Sequence, residues 1–378
     1  MKSIYTILII LIFLSSCIKY KDNFQIDTIK ISLQGMHQVD VDSIIENVNI
    51  VPLETNANCL IRHVDKIKIY GDQIFILDRK AGNILVYNNS GTFLFKIAKQ
   101  GKGYGEYITI ADFDVEPSTG DIYIIDGMTD KILVFQENKF IKDINLNFGS
   151  KAKRICFLGD DRIAFENQIS PGKVEWKYHI IIANKNLDIL SKEIPYEKSV
   201  SLVMSPVSPF SKYDDEVSYI PVYNDTIFHI RNGHVEPKYK LDFGKNWIDE
   251  EYLYGKNINP MSFFQDLKKS NSIYLLNTIE SRSHIFIYFT YKNEKFAYLY
   301  DKDTKKGAFI KGYMENGCGY NGLPIVPSGD LFVGVVNPYE LMNVNEKKIQ
   351  KGYSDLNIGD TNNNLFLSYV KFKKIKSL

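Results

Sequence analysis

The chain has 378 residues, 44% of them hydrophobic, and a formal net charge of +1. That length accommodates one large all-β domain or two ordinary domains, with enough apolar residues for a full core. Near-equal numbers of basic and acidic residues remove the general electrostatic basis for nucleic-acid binding, and the 25 Tyr and 23 Phe against 2 Trp suit pleated strand surfaces.

The N-terminus reads as an export leader. Lys2 supplies a positive start, and Ile4 to Leu14 form an apolar run broken by Tyr5 and Thr6, too short to span a bilayer. Leu14-Ser15-Ser16-Cys17 resembles the lipobox of bacterial lipoproteins, which implies a leader over residues 1–16 and acylation of Cys17. A plain secretory leader with an incidental cysteine is the alternative. Each buried acyl CH₂ contributes about 0.8 kcal/mol, so several chains on Cys17 would make a durable anchor. Residues 17–45 are polar and uneven and read as a tether, with a strand or a short helical turn. Cys59, Cys156 and Cys318 cannot all pair within one chain and match no disulfide framework, so they read as small buried hydrophobes.

The domain proper, 46–378, carries a repeat. IKIYGDQIFILDRKAGNILVY at 67–87 matches FDVEPSTGDIYIIDGMTDKILVF at 113–135, with Asp78 and Asp126, Ile84 and Ile132, and Tyr87 and Phe135 each 48 positions apart. A period of roughly 40–50 residues built from short strands points to a propeller. VNIVPLE near Val48 opens the first unit, and Gly71-Asp72, Ser90-Gly91 and Gly120-Asp121 supply turns. Later units are read at 155–195, 219–243 and 283–311, with a sixth from Leu323 closed by Leu365–Phe372. An insertion at 245–278 contains a helix signal, with Pro260 in the first turn and Met261, Phe264 and Leu267 as an apolar stripe. About six units remain once that insertion is set aside, although seven also fit. The fold expected is therefore all-β, a six-bladed β-propeller with four-stranded blades and a short helical insertion.

Gly103-Tyr104-Gly105-Glu106-Tyr107, Asp114-Val115, Gly120 to Asp126 and Lys131 to Phe135 together resemble an NHL-type propeller repeat. With Val51-Pro52-Leu53-Glu54-Thr55, Tyr223 to Phe228 and Asn364 to Phe372, the chain is similar to six-bladed β-propeller bacterial lipoproteins of unassigned function. The resemblance covers roughly 45–378. It implies a monomeric domain held at the outer membrane by its lipid, the periplasmic side being favoured because Ile18-Lys19-Tyr20-Lys21 is basic. It transfers no chemistry, and the third unit departs from the pattern.

Four residues are candidate ligand contacts. Glu106 and Tyr107 follow three glycines and either face a polar ligand at a blade rim or latch their own loop. Asp112 and Asp114 alternate with Glu116 on one strand face, and Lys66 and Lys68 occupy the related strand before them. Either these acids pair with the lysines, or they hold a sugar or a hard cation such as Ca²⁺, which takes several oxygen ligands. Asp78 and Asp126 recur at the repeat period, as turn caps do. Gly101–Glu106 lacks the Gly-Lys-Ser/Thr ending of a phosphate loop, and Ser150-Lys151-Ala152-Lys153 lacks the companion motifs of penicillin-binding enzymes. The reading adopted is a non-catalytic binding module for a protein, peptide or glycan, with no cofactor. The competing one is a Ca²⁺-dependent hydrolase or lyase acting on a lactone or glycan.

Overall fold

The computed structural model describes residues 26–146, 148, 152–159, 161–167, 178–196, 208–231, 233–249, 253, 260–311, 323–337 and 364–376. Cys17, Cys318, the leader and the Ser150 motif's first two residues lie outside them. The described strands form six sheets, each built on four antiparallel strands and arranged as a blade of a ring. From the axis outward, blade 1 is Lys66–Tyr70, Gln73–Asp78, Asn83–Asn88 and Phe93–Ile97. Blade 2 is Ile110–Val115, Ile122–Asp126, Lys131–Gln136 and Lys139–Asn145, and blade 3 is Ala152–Gly159, Arg162–Asn167, Tyr178–Asn184 and Ile189–Pro195. Blade 4 is Phe210–Tyr213, Glu216–Tyr219, Thr226–Arg231 and His234–Asp242, and blade 5 is Ile273–Glu280, His284–Tyr291, Glu294–Asp301 and Lys306–Lys311.

Burial along a blade explains why its strands look different in sequence. The two middle strands are covered on both faces by neighbouring blades, so IFILD, ILVY, IYIID and IAFEN are continuously buried. Fully covered strands read as apolar runs for this reason. Outermost strands such as Lys139–Asn145 alternate and are largely exposed. Six apolar clusters fill the six blade interfaces in turn. Phe75 and Phe113 share the first, Tyr123 and Phe157 the second, and Ala164 and Tyr219 the third. Tyr239 and Phe289, Phe286 and Phe332, and Leu85 and Val333 lie in the remaining three, so the ring closes.

Closure corrects one assignment. Ile45–Pro52 does not open the first unit; it is the outermost strand of blade 6, paired with Phe366–Phe372 beside Leu331–Val336 and Leu323–Ser328. A strand from one end of the chain thereby locks a blade built by the other. Ile273–Glu280, placed by sequence in the insertion, is the innermost strand of blade 5, and Phe210–Tyr213 begins blade 4 ahead of the expected Tyr219. The helix is confined to Pro260–Lys269. Before the closing strand, Asp27–Lys30 and Gln38–Asp40 add in parallel to the outer edges of blades 4 and 5, which covers edges otherwise open to pairing. No helix among the described residues is long and apolar enough to cross a membrane.

The closing strand also sets a tight approach. Gly91, in a hairpin turn of blade 1, has φ +86°, and a Cβ there would lie 2.0 Å from the Pro52 carbonyl oxygen. Gly91→Ala is expected to destabilise the protein by about 2 kcal/mol, read as a lower urea midpoint at unchanged slope.

Candidate functional site: the axial cavity

The first strand of each blade faces the axis, and its alternate side chains decide what lines the channel. A cavity of about 310 Å³ lies there, bounded by Lys66 and Lys68 of blade 1, Asp112 and Asp114 of blade 2, Arg154 and Cys156 of blade 3, Lys212 of blade 4 and Ser328 of blade 6. Asp112 and Asp114 are 1% exposed. Lys66 Nζ lies 3.0 Å from both Asp112 carboxylate oxygens and donates to the Phe113 carbonyl at 2.7 Å. Lys68 Nζ lies 2.6 Å from Asp114 Oδ1.

The same carboxylates reach the next blade. Asp112 Oδ2 accepts from Ile155 N–H at 2.9 Å, and Asp114 Oδ2 from Phe157 N–H at 2.7 Å. Inner strands present a row of unpaired backbone groups at the channel, and a buried N–H without an acceptor is costly. The two aspartates thus join blades 1, 2 and 3. Burial alone would raise the Asp114 carboxyl, but Lys68, Lys66 and the Phe157 amide outweigh it and hold the pKa below the usual range. Lys68 is raised, because Asp114 outweighs its desolvation. A hard cation at these oxygens would have to displace both ammonium groups. Among the described residues no group of three or more His, Cys, Asp or Glu stands ready to hold a metal.

Glu106 and Tyr107 lie in the loop between blades 1 and 2, outside the cavity. Glu106 Oε2 accepts from Gly103 N–H at 2.7 Å, and it fills the space above Gly101, where a Cβ would sit 1.9 Å from it. Tyr107 is fully buried. Its hydroxyl accepts from Lys99 N–H at 3.0 Å and lies 2.9 Å from the Gly82 carbonyl; burial pushes its pKa up to about 12. Asp78 and Asp126 do cap turns. Asp78 accepts from Ala81 N–H in its own turn and from Arg62 and His63 in the segment entering its blade; Asp126 accepts from Met128, Ile108 and Thr109 in the equivalent places.

Two charged groups were not anticipated from sequence. Glu280, 1% exposed, receives Lys302 Nζ at 2.7 Å and the Tyr213 hydroxyl at 3.0 Å, and His229 Nε2 lies 3.0 Å from Oε2. Burial would raise its pKa, yet His229 and Lys302 bring it down to about 2. Arg154 stands opposite Glu166 across the first two strands of blade 3. Burial raises Glu166 to about 7 despite Arg154 and the Tyr219 hydroxyl, which both lower it. A raised carboxyl contributes stability fully below its unfolded pKa and loses it as pH rises through the folded value. Glu166→Gln is therefore expected to stabilise by about 2 kcal/mol at pH 8 and to change little at pH 5, measured by urea unfolding at both.

Cys59 and Cys156 are buried free thiols. Burial and Asp114 push the Cys156 thiol up, away from the thiolate that reacts. Among the described residues one serine hydroxyl meets a histidine ring, Ser283 Oγ to His284 Nδ1 at 2.9 Å. The ring is 2% exposed, its Nε2 lies 3.2 Å from the Lys373 carbonyl, and neither residue lines the axial cavity.

A ring of six blades with this axial arrangement can be compared with known proteins. The profile of one family, described as a domain of unknown function, DUF4934, matches residues 24–372. The chain belongs to the DUF4934 family. None of the curated protein sequences matches it. Among solved structures, a Bacteroides fragilis NCTC 9343 protein described as exported superposes with a TM-score of 0.77 at 21% identity, covering 92% of this chain and 100% of that one. A DUF4221 member from Bacteroides vulgatus ATCC 8482 does so with a TM-score of 0.55 at 12% identity, over 87% and 97%. At these identities the likeness is one of fold.

Proposed function

We propose that this DUF4934 protein is an exported, lipid-anchored propeller that binds a protein, peptide or glycan at its axial cavity and catalyses nothing there. One observation carries the reading. The two buried acids at the axis, Asp112 and Asp114, are matched to Lys66 and Lys68 and to backbone N–H groups, which leaves a formed polar cavity with no activated nucleophile among the described residues. Sites that bind rather than react commonly combine a rigid scaffold with a few placed polar groups. The Leu14-Ser15-Ser16-Cys17 motif and a relative described as exported support export, and the basic residues after Cys17 favour the periplasmic leaflet of the outer membrane.

The full chain, purified with its anchor, is to be tested on peptide and glycan arrays alongside a product assay for each retained compound. Saturable retention without turnover is expected. Conversion of a retained glycan or lactone would replace the binding reading with the hydrolytic one, and mass spectrometry of the N-terminal peptide checks acylation of Cys17.

A further inference from the structure

A second cavity, of about 420 Å³, opens beside the first. Its walls are the ends of strands on one face of the ring: Arg79 follows the second strand of blade 1, Thr109 precedes the first strand of blade 2, and Lys153 and Arg154 lie near the start of blade 3. Arg79 and Arg154 line both cavities, so these two side chains stand between them.

Positive charge is concentrated here, although the whole chain is nearly neutral. Among the described residues no carboxylate lines this mouth. Arg79 is partly committed, with Nη1 2.9 Å from Asp65 Oδ1 and Nη2 donating to the Ala111 carbonyl at 2.7 Å. Arg154 differs. Its Nη1 donates to the Lys153 carbonyl at 3.0 Å, while its Nε is buried without any hydrogen-bond partner. Among the described residues it forms no ion pair, and neither does Lys212, whose Nζ donates only to the Phe157 carbonyl at 2.7 Å. Glu166, the acid opposite Arg154, titrates near neutrality and so offsets that charge incompletely. Buried donors are nearly always satisfied, and an orphan on a guanidinium points to an acceptor supplied from outside. An unoccupied guanidinium edge matches the two oxygens of a carboxylate or phosphate.

We propose that this mouth is an oxyanion subsite, in which Arg154 takes a carboxylate or phosphate group of the ligand with Lys153 and Arg79 beside it, and the rest of the ligand extends into the axial cavity. The proposal rests on the binding reading above and narrows its ligand to one bearing an anionic group.

The test is calorimetric titration of the full chain at low ionic strength with inorganic phosphate, galacturonate and galactose. Surface charges are least screened under those conditions. Saturable binding of phosphate or galacturonate, and none of galactose, is expected. Phosphate alone identifies a phosphorylated ligand, galacturonate alone a sugar acid, and both together recognition by charge. Arg154→Gln is expected to weaken binding about tenfold or more, as loss of a charged bidentate contact does. Arg154→Lys keeps the charge without the planar edge and is expected to fall between. It also serves if the Gln variant fails to fold. Equal binding of galactose, equal binding by folded Arg154 variants, or no binding of either anion overturns the subsite. A peptide or glycan still retained on the arrays in that last case leaves the binding module standing.

Discussion

Asp114→Ala is expected to lower the free energy of unfolding by about 3–5 kcal/mol, the scale on which one partner of a buried ion pair is missed. Two losses combine. The Lys68 ammonium, 2.6 Å from Asp114 Oδ1 and 15% exposed in its side chain, is left without its counter-charge. The Phe157 and Val115 N–H groups lose their shared acceptor. Asp114→Asn keeps an acceptor for those amides and should cost less. Pairing Asp114→Leu with Lys68→Met should recover part of the loss, because the stranded charge disappears while the Phe157 amide stays unmatched. Urea midpoints for the two single variants and the double variant make a cycle whose coupling term isolates the ion pair. The measurement also separates the two roles open to this aspartate. A ligand oxygen would be removed with a loss of binding and a stability change under about 1 kcal/mol, whereas a joint between blades would show the reverse.

Glu280→Ala should be comparably severe, about 3–5 kcal/mol, since it strands Lys302 and His229 in the interior between blades 4 and 5. Its pH signature is specific. A carboxyl held at about 2 contributes stability that is fully present above its unfolded pKa near 4.5 and is lost as pH falls toward 2. For a shift of this size the contribution is about 3 kcal/mol. His179 acts in a different window. Burial lowers its pKa to about 3, and its ring stacks on Tyr196 at 3.6 Å between centroids. The unfolded chain binds that proton first, so stability falls as pH drops from about 6.5 to 3. Urea unfolding from pH 7 to pH 3 should show Glu280→Gln flattening the curve only below about 4.5 and His179→Phe flattening it from about 6.5 downward. Curves parallel to that of the parent would refute both assignments.

Much of the ring was legible in the chain because its physics is local. The middle strands of blades 1 and 2 are covered on both faces, so their apolar runs and the capping aspartates at their ends recur with the blade. Lys66, Lys68, Asp112 and Asp114 could be grouped from alternation along two related strands. The innermost strand of blade 5 has no local signature, because Ile273–Glu280 follows a helix directly and lacks a Gly-Asp turn. The pattern of Ile45–Pro52 does not reveal its blade, because its partner lies at the opposite end of the sequence. Glu280 and Arg154 carried no local signal at all. Their meaning comes from His229, Lys302 and Tyr213 in one case and from two adjoining cavities in the other.

Periodic burial and turn chemistry, written into neighbouring residues, determined that this protein would be an all-β repeat of six or seven units. Which strand closes the ring, which acids become joints between blades and which arginine is left facing an open mouth were decided only in three dimensions. Each of those outcomes depends on groups from different blades that meet only when the blades pack around the axis, and no local pattern can encode a contact whose partner lies in another blade.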